Sequence, residues 1–196
     1  MMLYLVTNRH LIKEDNLLNV VKKSVEAGAN AVILREKDLN FEELYPITME
    51  IKKVTEKNNA LLIVNNNLDV AIKSKADGYH SSFKDFINAS KHFPRTKGVS
   101  IHSVEEAIIA ENNGADYLLA GHVYKTDSKK DLEPKGLEFI RNIKAKVNIP
   151  VIAIGGITPQ NAKEVINAGA DGIAVMSSIM SSKDTNRIIK EYQGLC

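Results

Sequence analysis

The segment GADYLLAGHVYKTDSKK, residues 114–130, holds both a pattern that recurs along this chain and a histidine placed where chemistry belongs. Its opening, Gly114-Ala115-Asp116-Tyr117-Leu118-Leu119, has close copies in Gly28-Ala29-Asn30-Ala31-Val32-Ile33 and Gly169-Ala170-Asp171-Gly172-Ile173-Ala174. Ala76-Asp77-Gly78-Tyr79-His80 is a weaker fourth. Each leading glycine stands where a helix should end, in the left-handed conformation that a missing Cβ makes easy. A short apolar run of the kind that forms a buried strand follows each. The repeated unit is helix, glycine stop, strand.

The segments between the copies carry helix signals. Asp15 and Asn16 open a stripe of Leu17, Val20, Val21 and Val25. Asn40 with Glu43, and Ser103 with Glu106, resemble capping boxes. Thr158 followed by Pro159 reads as a cap with proline at the first helical position. The strands expected between these helices are 3–6, 31–34, 61–64, 78–80, 98–100, 117–120, 151–154 and 172–175. Nearly all are apolar throughout, as strands covered on both faces of a parallel sheet should be. Strands alternating with helices predict a compact (β/α)8 TIM barrel, with an open doubly wound sheet as the alternative. Such barrels typically run to about 250 residues, and this one would have short loops.

Composition narrows the function classes. The chain has 196 residues, 44% hydrophobic and 26% charged, which fits one soluble domain spanning 1–196. A net charge of +2 gives no reason to expect nucleic-acid binding. Cys196 is the single cysteine, so no intramolecular disulfide forms. No apolar run approaches the length of a membrane span, and MMLYLVTNRH reads as a first strand. The expected compartment is the cytoplasm. A homo-oligomer is compatible with all of this, and the sequence does not specify one.

In a parallel barrel, chemistry sits at the C-terminal ends of the strands. Those positions here are 7–9, 35–37, 65–67, 80–82, 100–102, 121–122, 155–157 and 176–178, a polar, basic and glycine-rich set. Gly155-Gly156 before a helix, with Met176-Ser177-Ser178 after the eighth strand, reads as a phosphate cradle of backbone N–H groups. Arg35 and Lys37, two residues apart, share one face while the strand lasts, so both can point into the mouth. A surface ion-pair cluster around Glu36 is the alternative. Lys129 is placed to swing over the mouth as a lid. His102 reads as a helix-end residue, and His10 and His92 as solvent-exposed. Metal binding scores poorly, because the third-strand rim offers Asn65, Asn66 and Asn67 where Mg²⁺ prefers carboxylates.

Together these residues resemble the thiamine phosphate synthase superfamily of barrels. The matching pieces are LREK (34–37), VNNNLDVA (64–71), ADGYH (76–80), GVSIHSVEEA (98–107), GADYLLAGHVYKTDSKK (114–130), PVIAIGGITPQN (150–161) and AGADGIAVMSSI (168–179). One branch joins a pyrimidine diphosphate to a thiazole phosphate with Mg²⁺. The other, the thiazole tautomerase (TenI-like) branch, moves a proton to aromatise a thiazole phosphate carboxylate. The synthase pattern calls for glutamine where Ile33 stands, Asn-Asp where Asn65-Asn66 stands, Leu-Gly-Gln where Ser81-Ser82-Phe83 stands, and Gly-Pro where Gly121-His122 stands. Asp85 matches the spacing of the other metal carboxylate.

These departures imply the tautomerase, an isomerase without cofactor or metal. The resemblance then makes His122 the catalytic acid and base, its ordinary pKa of about 6.5 suiting both steps. Gly156, Met176 and Ser177 would hold the phosphate, and Arg35, with Lys37 or Lys129, the carboxylate. Asn65 and Ser100 would orient the ring or the imidazole. The expected partner is a small-molecule thiazole phosphate, with no nucleic acid and no membrane. The alternatives are the Mg²⁺-dependent synthase and a non-catalytic, thiazole-phosphate-binding regulatory protein.

Overall fold

The computed structural model describes residues 1–89 and 93–194, so the expectations for His92 and Cys196 lie outside the described residues. Among these residues eight strands pair in parallel in sequence order, and the last closes onto the first. They are β1 (Met2–Val6), β2 (Ala31–Leu34), β3 (Leu61–Asn65), β4 (Gly78–Ser82), β5 (Thr96–Ile101), β6 (Tyr117–Gly121), β7 (Val151–Ile154) and β8 (Gly172–Val175). The helices α1 (Leu17–Glu26), α2 (Phe41–Lys57), α3 (Leu68–Lys73), α4 (Phe83–Ile87), α5 (Val104–Asn112), α6 (Gly136–Lys144) and α7 (Ala162–Asn167) follow the first seven strands. Two more, α8 (Ser177–Met180) and α9 (Thr185–Gln193), follow the last. The fold is the expected (β/α)8 barrel, and no described helix is long and apolar enough to cross a membrane.

Strand alternation divides the apolar residues into two cores. Leu5, Val32, Leu62, Leu118, Val151 and Ile173 face outward and pack with the helices. Tyr4, Ile33, Ile63, Tyr117, Leu119 and Ile152 fill the barrel. The filling is lopsided. Gly98 on β5 makes room for the Tyr117 ring, since a Cβ there would lie 2.0 Å from its Cζ. Space left empty on β5 is occupied by the residue paired with Gly98 on the neighbouring strand β6.

The recurring Gly-Ala-Asx pattern acquires a physical reason at the closed end of the barrel. Asn30 Oδ1 accepts from the Leu3 N–H at 2.8 Å, and Asp77 Oδ2 from Leu62 at 2.9 Å. Asp116 Oδ2 accepts from Lys97 at 2.7 Å, and Asp171 Oδ2 from Val151 at 2.7 Å. Each of these residues precedes an even-numbered strand and satisfies a backbone donor at the start of the odd-numbered strand before it. That is why the copies come at four places in an eight-stranded barrel. The helix stops behave as expected at Gly28 (φ +109°), Gly114 (φ +83°) and Gly169 (φ +105°). Before the weaker copy, Lys75 takes the same left-handed conformation (φ 54°), at a cost of about 1–2 kcal/mol for a residue with a Cβ.

Several boundaries differ from expectation. β3, β4, β5 and β6 extend to Asn65, Ser82, Ile101 and Gly121, because backbone pairing with the neighbouring strands continues through these residues whatever their side chains. The Asn40–Glu43 capping box forms. Ser103 caps Glu106, but the Glu106 carboxylate turns to the N–H of His102. Thr158-Pro159 does not open α7. Its N-cap is Asn161, whose Oδ1 accepts from the Thr158 N–H at 2.8 Å across a turn.

Asp171 also pairs with Lys144 at 2.9 Å. Replacing Asp171 by alanine should lower the free energy of unfolding by about 1.5–3 kcal/mol, the range for hydrogen bonds to a charged group. An unchanged urea midpoint would contradict the role assigned to the recurring Asx residues.

Candidate active site

At the C-terminal end of the strands a cavity of about 410 Å³ opens into the barrel mouth. Arg35, Lys37, Asn65, Ser100, His122, Lys129, Gly156, Met176 and Ser177, the residues singled out from the sequence, all line it. Asn66, His80, Ser82, His102, Thr126 and Ser178 join them.

Arg35 and Lys37 face the cavity because Glu36, between them, points the other way. Glu36 is buried and accepts from Thr7 Oγ1 at 2.7 Å, from the Arg9 N–H and from Arg9 Nη1 at 3.1 Å. This corrects the expectation for the first strand's rim: Thr7 and Arg9 brace Glu36 and Asp38 and take no part in the cavity wall. His10 is exposed as expected and lies 3.2 Å from Asp38.

The cavity's electrostatics are one-sided. Its lining includes Arg35, Lys37 and Lys129 and, among the described residues, no aspartate or glutamate. None of the three cations forms an ion pair among those residues. Burial lowers the Arg35 pKa, and Glu36 opposes that only in part. Burial also lowers that of Lys129, helped by repulsion from Lys135 and Lys37. Arg35 and Lys129, partly desolvated and incompletely compensated, are costly to keep charged unless an anion arrives.

The loops after β7 and β8 form the far wall. Gly155 (φ +103°) and Gly156 (φ +65°) lie where a Cβ would strike His122 and the backbone of Tyr124 and Lys125. The glycine pair therefore has a packing role as well as leaving N–H groups near the cavity. No side chain caps the first N–H groups of α8, which begins at Ser177. Tyr192, on α9, ties the two loops together: its Oη donates to the Ile157 carbonyl at 2.9 Å and accepts from Ser178 at 2.7 Å. That clamp was not anticipated, and its only sequence signal is the apolar stripe of the last helix.

The histidines are held in defined roles. His122 is buried, and its Nε2–H donates to the Leu132 carbonyl at 3.1 Å. His102 stands at the start of α5, as expected, just before the Ser103 cap, and it also lines the cavity. It donates from Nδ1 to the Gly121 carbonyl at 2.9 Å, with Lys129 Nζ 3.5 Å from its Nε2. His80 is pushed down to about 3 by burial first and by Arg35 second, so its ring is neutral.

A magnesium site needs oxygen donors, with carboxylates prominent among them. Asn65 and Asn66 supply amides, and Asp85 accepts from Ser82 Oγ at 2.6 Å without lining the cavity. Among the described residues no group of three or more His, Cys, Asp or Glu could hold a metal. Among the described residues the cavity lining offers magnesium no carboxylate, so an ion there would lean on a ligand's phosphate oxygens, with the Asp85 carboxylate behind Ser82.

Comparison with known proteins corrects the expected branch. The thiamine-phosphate synthase of Clostridium acetobutylicum is 42% identical over 194 residues, covering 95% of this chain and 92% of its own. That of Pyrococcus abyssi is 39% identical over 194 residues, covering 97% and 92%. A solved thiamine phosphate pyrophosphorylase from Pyrococcus furiosus superposes with a TM-score of 0.86 at 36% identity, covering 99% of this chain and 94% of its own. These relatives are synthases, which are transferases, and they overturn the tautomerase and isomerase assignments. Those assignments rested on Ile33, Asn66, Ser81-Ser82-Phe83 and His122, six residues set against agreement along nearly the whole chain. The family model described as thiamine monophosphate synthase matches residues 3–179, and the chain belongs to that family.

Proposed function

We propose that this chain is a thiamine-phosphate synthase, joining a pyrimidine diphosphate to a thiazole phosphate and releasing diphosphate. The observation that carries the proposal is the convergence of Arg35, Lys37 and Lys129 on a cavity with no carboxylate among its described lining residues. A diphosphate leaving group is the kind of ligand that such a site lacks. As the thiazole nitrogen bonds to the pyrimidine's methylene carbon, the bond from that carbon to the diphosphate oxygen breaks. The electron pair leaves with the diphosphate, and the ring nitrogen becomes cationic. Three cations lining the cavity favour this step, because the charge they meet grows as the bond breaks. Arg35 adds a planar fork of donors, whereas the lysines act as point charges.

The remaining lining divides by chemistry. Backbone N–H groups at Gly156 and Ser177 suit the thiazole's phosphate, with Met176 as an apolar wall beside it. Asn65 and Ser100 offer neutral hydrogen bonds to a ring. No proton passes between the reactants, so His122 is not asked to carry one. Its bond to Leu132 gives it a different task, holding the loop that brings Lys129 to the mouth. With two multiply charged substrates, the reading carries the expectation of a cytoplasmic enzyme.

Incubating the protein with the two substrates, with and without magnesium, should yield thiamine phosphate and diphosphate in equal amounts. Arg35→Met and Lys129→Met should each lower kcat/KM about 10²-fold, as removal of one electrostatic stabiliser commonly does. Absence of product under both conditions would sink the reading.

A further inference from the structure

We propose that His80 is a positioning residue. Tyr117 locks it in the tautomer protonated on Nε2, and it thereby presents the Ser100 hydroxyl to the cavity as a hydrogen-bond donor. The observation is a chain of three side chains across the barrel. His80 Nδ1 lies 2.9 Å from Tyr117 Oη, and His80 Nε2 lies 2.8 Å from Ser100 Oγ.

Each contact alone is ambiguous, since either ring nitrogen can donate or accept. Tyr117 removes the ambiguity. Its side chain is buried, and burial raises its pKa well above 10, so the phenol keeps its proton. A buried hydroxyl must donate to something, and the acceptor the structure provides is His80 Nδ1. Nδ1 therefore holds the lone pair. Since the imidazole is neutral, Nε2 holds the proton and donates it to Ser100 Oγ. The Ser100 O–H cannot point back along that bond. It is left directed elsewhere, on a residue that lines the cavity.

The arrangement is built into neighbouring strands. Gly98, two residues before Ser100 on β5, admits the Tyr117 ring, because a Cβ there would lie 2.3 Å from Oη. Tyr4 packs edge-on against Tyr117 with ring centroids 5.7 Å apart, fixing the phenol from the other side. Ser100, His80 and Tyr117 thus come from β5, β4 and β6, and the relay needs all three strands in register.

The consequence concerns specificity. A hydroxyl fixed as donor favours a ligand atom with a free lone pair and disfavours an N–H. Charged phosphate oxygens have Arg35, Lys37 and Lys129 to meet, while Ser100 sits beside apolar Leu119, its pairing partner on β6. The atom that suits it is an unprotonated ring nitrogen of the substrate heterocycle. This assignment of the ligand rests on the synthase reading above, whereas the tautomer does not.

The test has two arms. In the full chain labelled with ¹⁵N-histidine, NMR at neutral pH should show His80 with Nδ1 unprotonated and Nε2 protonated. An Nδ1–H tautomer, or a protonated ring, would overturn the proposal. This arm needs no substrate, so it decides the tautomer even if the protein makes no thiamine phosphate, an outcome that would refute only the synthase reading. In the second arm, Tyr117→Phe should lower kcat/KM for the pyrimidine diphosphate about three- to tenfold, the worth of one net hydrogen bond. Ser100→Ala should lower it at least as much, and the double variant no further than Ser100→Ala. Multiplying losses would show Tyr117 acting independently of Ser100 and would overturn the relay. Should Tyr117→Phe not fold, the wild-type spectrum still decides.

Discussion

A parallel sheet closed into a barrel has no edge strand, but it has two ends, where backbone groups run out of neighbours. This chain resolves the two ends in opposite ways. At the N-terminal end of the strands its own side chains finish the ladder: Asn30, Asp77, Asp116 and Asp171 accept from backbone donors of β1, β3, β5 and β7. At the C-terminal end the polar groups are left for a ligand. Gly156, Ser177 and the three cations surround a cavity whose walls contribute no negative charge among the described residues. Stability and function are thereby assigned to opposite faces, which lets the loops of one face vary without loosening the other.

The barrel interior links the two. Most of it is apolar and closely packed, as Tyr4, Ile33, Ile63 and Ile152 illustrate. On β4 and β5, by contrast, the inward positions go to glycine, histidine and serine. A polar chain in an apolar interior is costly unless every member is paired. Here Tyr117, His80 and Ser100 pair in sequence, and the one hydrogen left over lies at the cavity. The barrel filling thus ends in a directed donor. The C-terminal helix α9 does comparable work from outside, with Tyr192 joining the loops after β7 and β8.

Much of the fold was legible because it follows from local chemistry. Gly28, Gly114 and Gly169 stop helices through backbone freedom, and short apolar runs mark strands covered on both faces. The ends of β3 and β4 were not legible, because backbone pairing carries polar residues along without regard to side-chain type. Thr158-Pro159 misled for a related reason: cap chemistry also serves a turn, and the helix waits for Asn161. All nine residues singled out at the rim do line one cavity, since strand exits are readable once a barrel is inferred. His102 was placed at the rim and at a helix end, but its part in the cavity wall was not read, because its ring contacts, Gly121 and Lys129, are remote in sequence. The choice of reaction failed for a different reason. Single rim residues such as His122 and Asn66 report local packing as well as chemistry, and the structure gives His122 a carbonyl partner in Leu132.

The central physical claim is that Arg35, Lys37 and Lys129 together form a receptor for a diphosphate, with no carboxylate among the described lining residues to compete. Calorimetric titration with inorganic pyrophosphate in metal-free buffer tests this most directly. The account predicts saturable binding that weakens steeply with added salt and falls at least about tenfold in Arg35→Met, the loss of one charge-assisted bond. Binding that is absent, or equally strong in Arg35→Met, would contradict it.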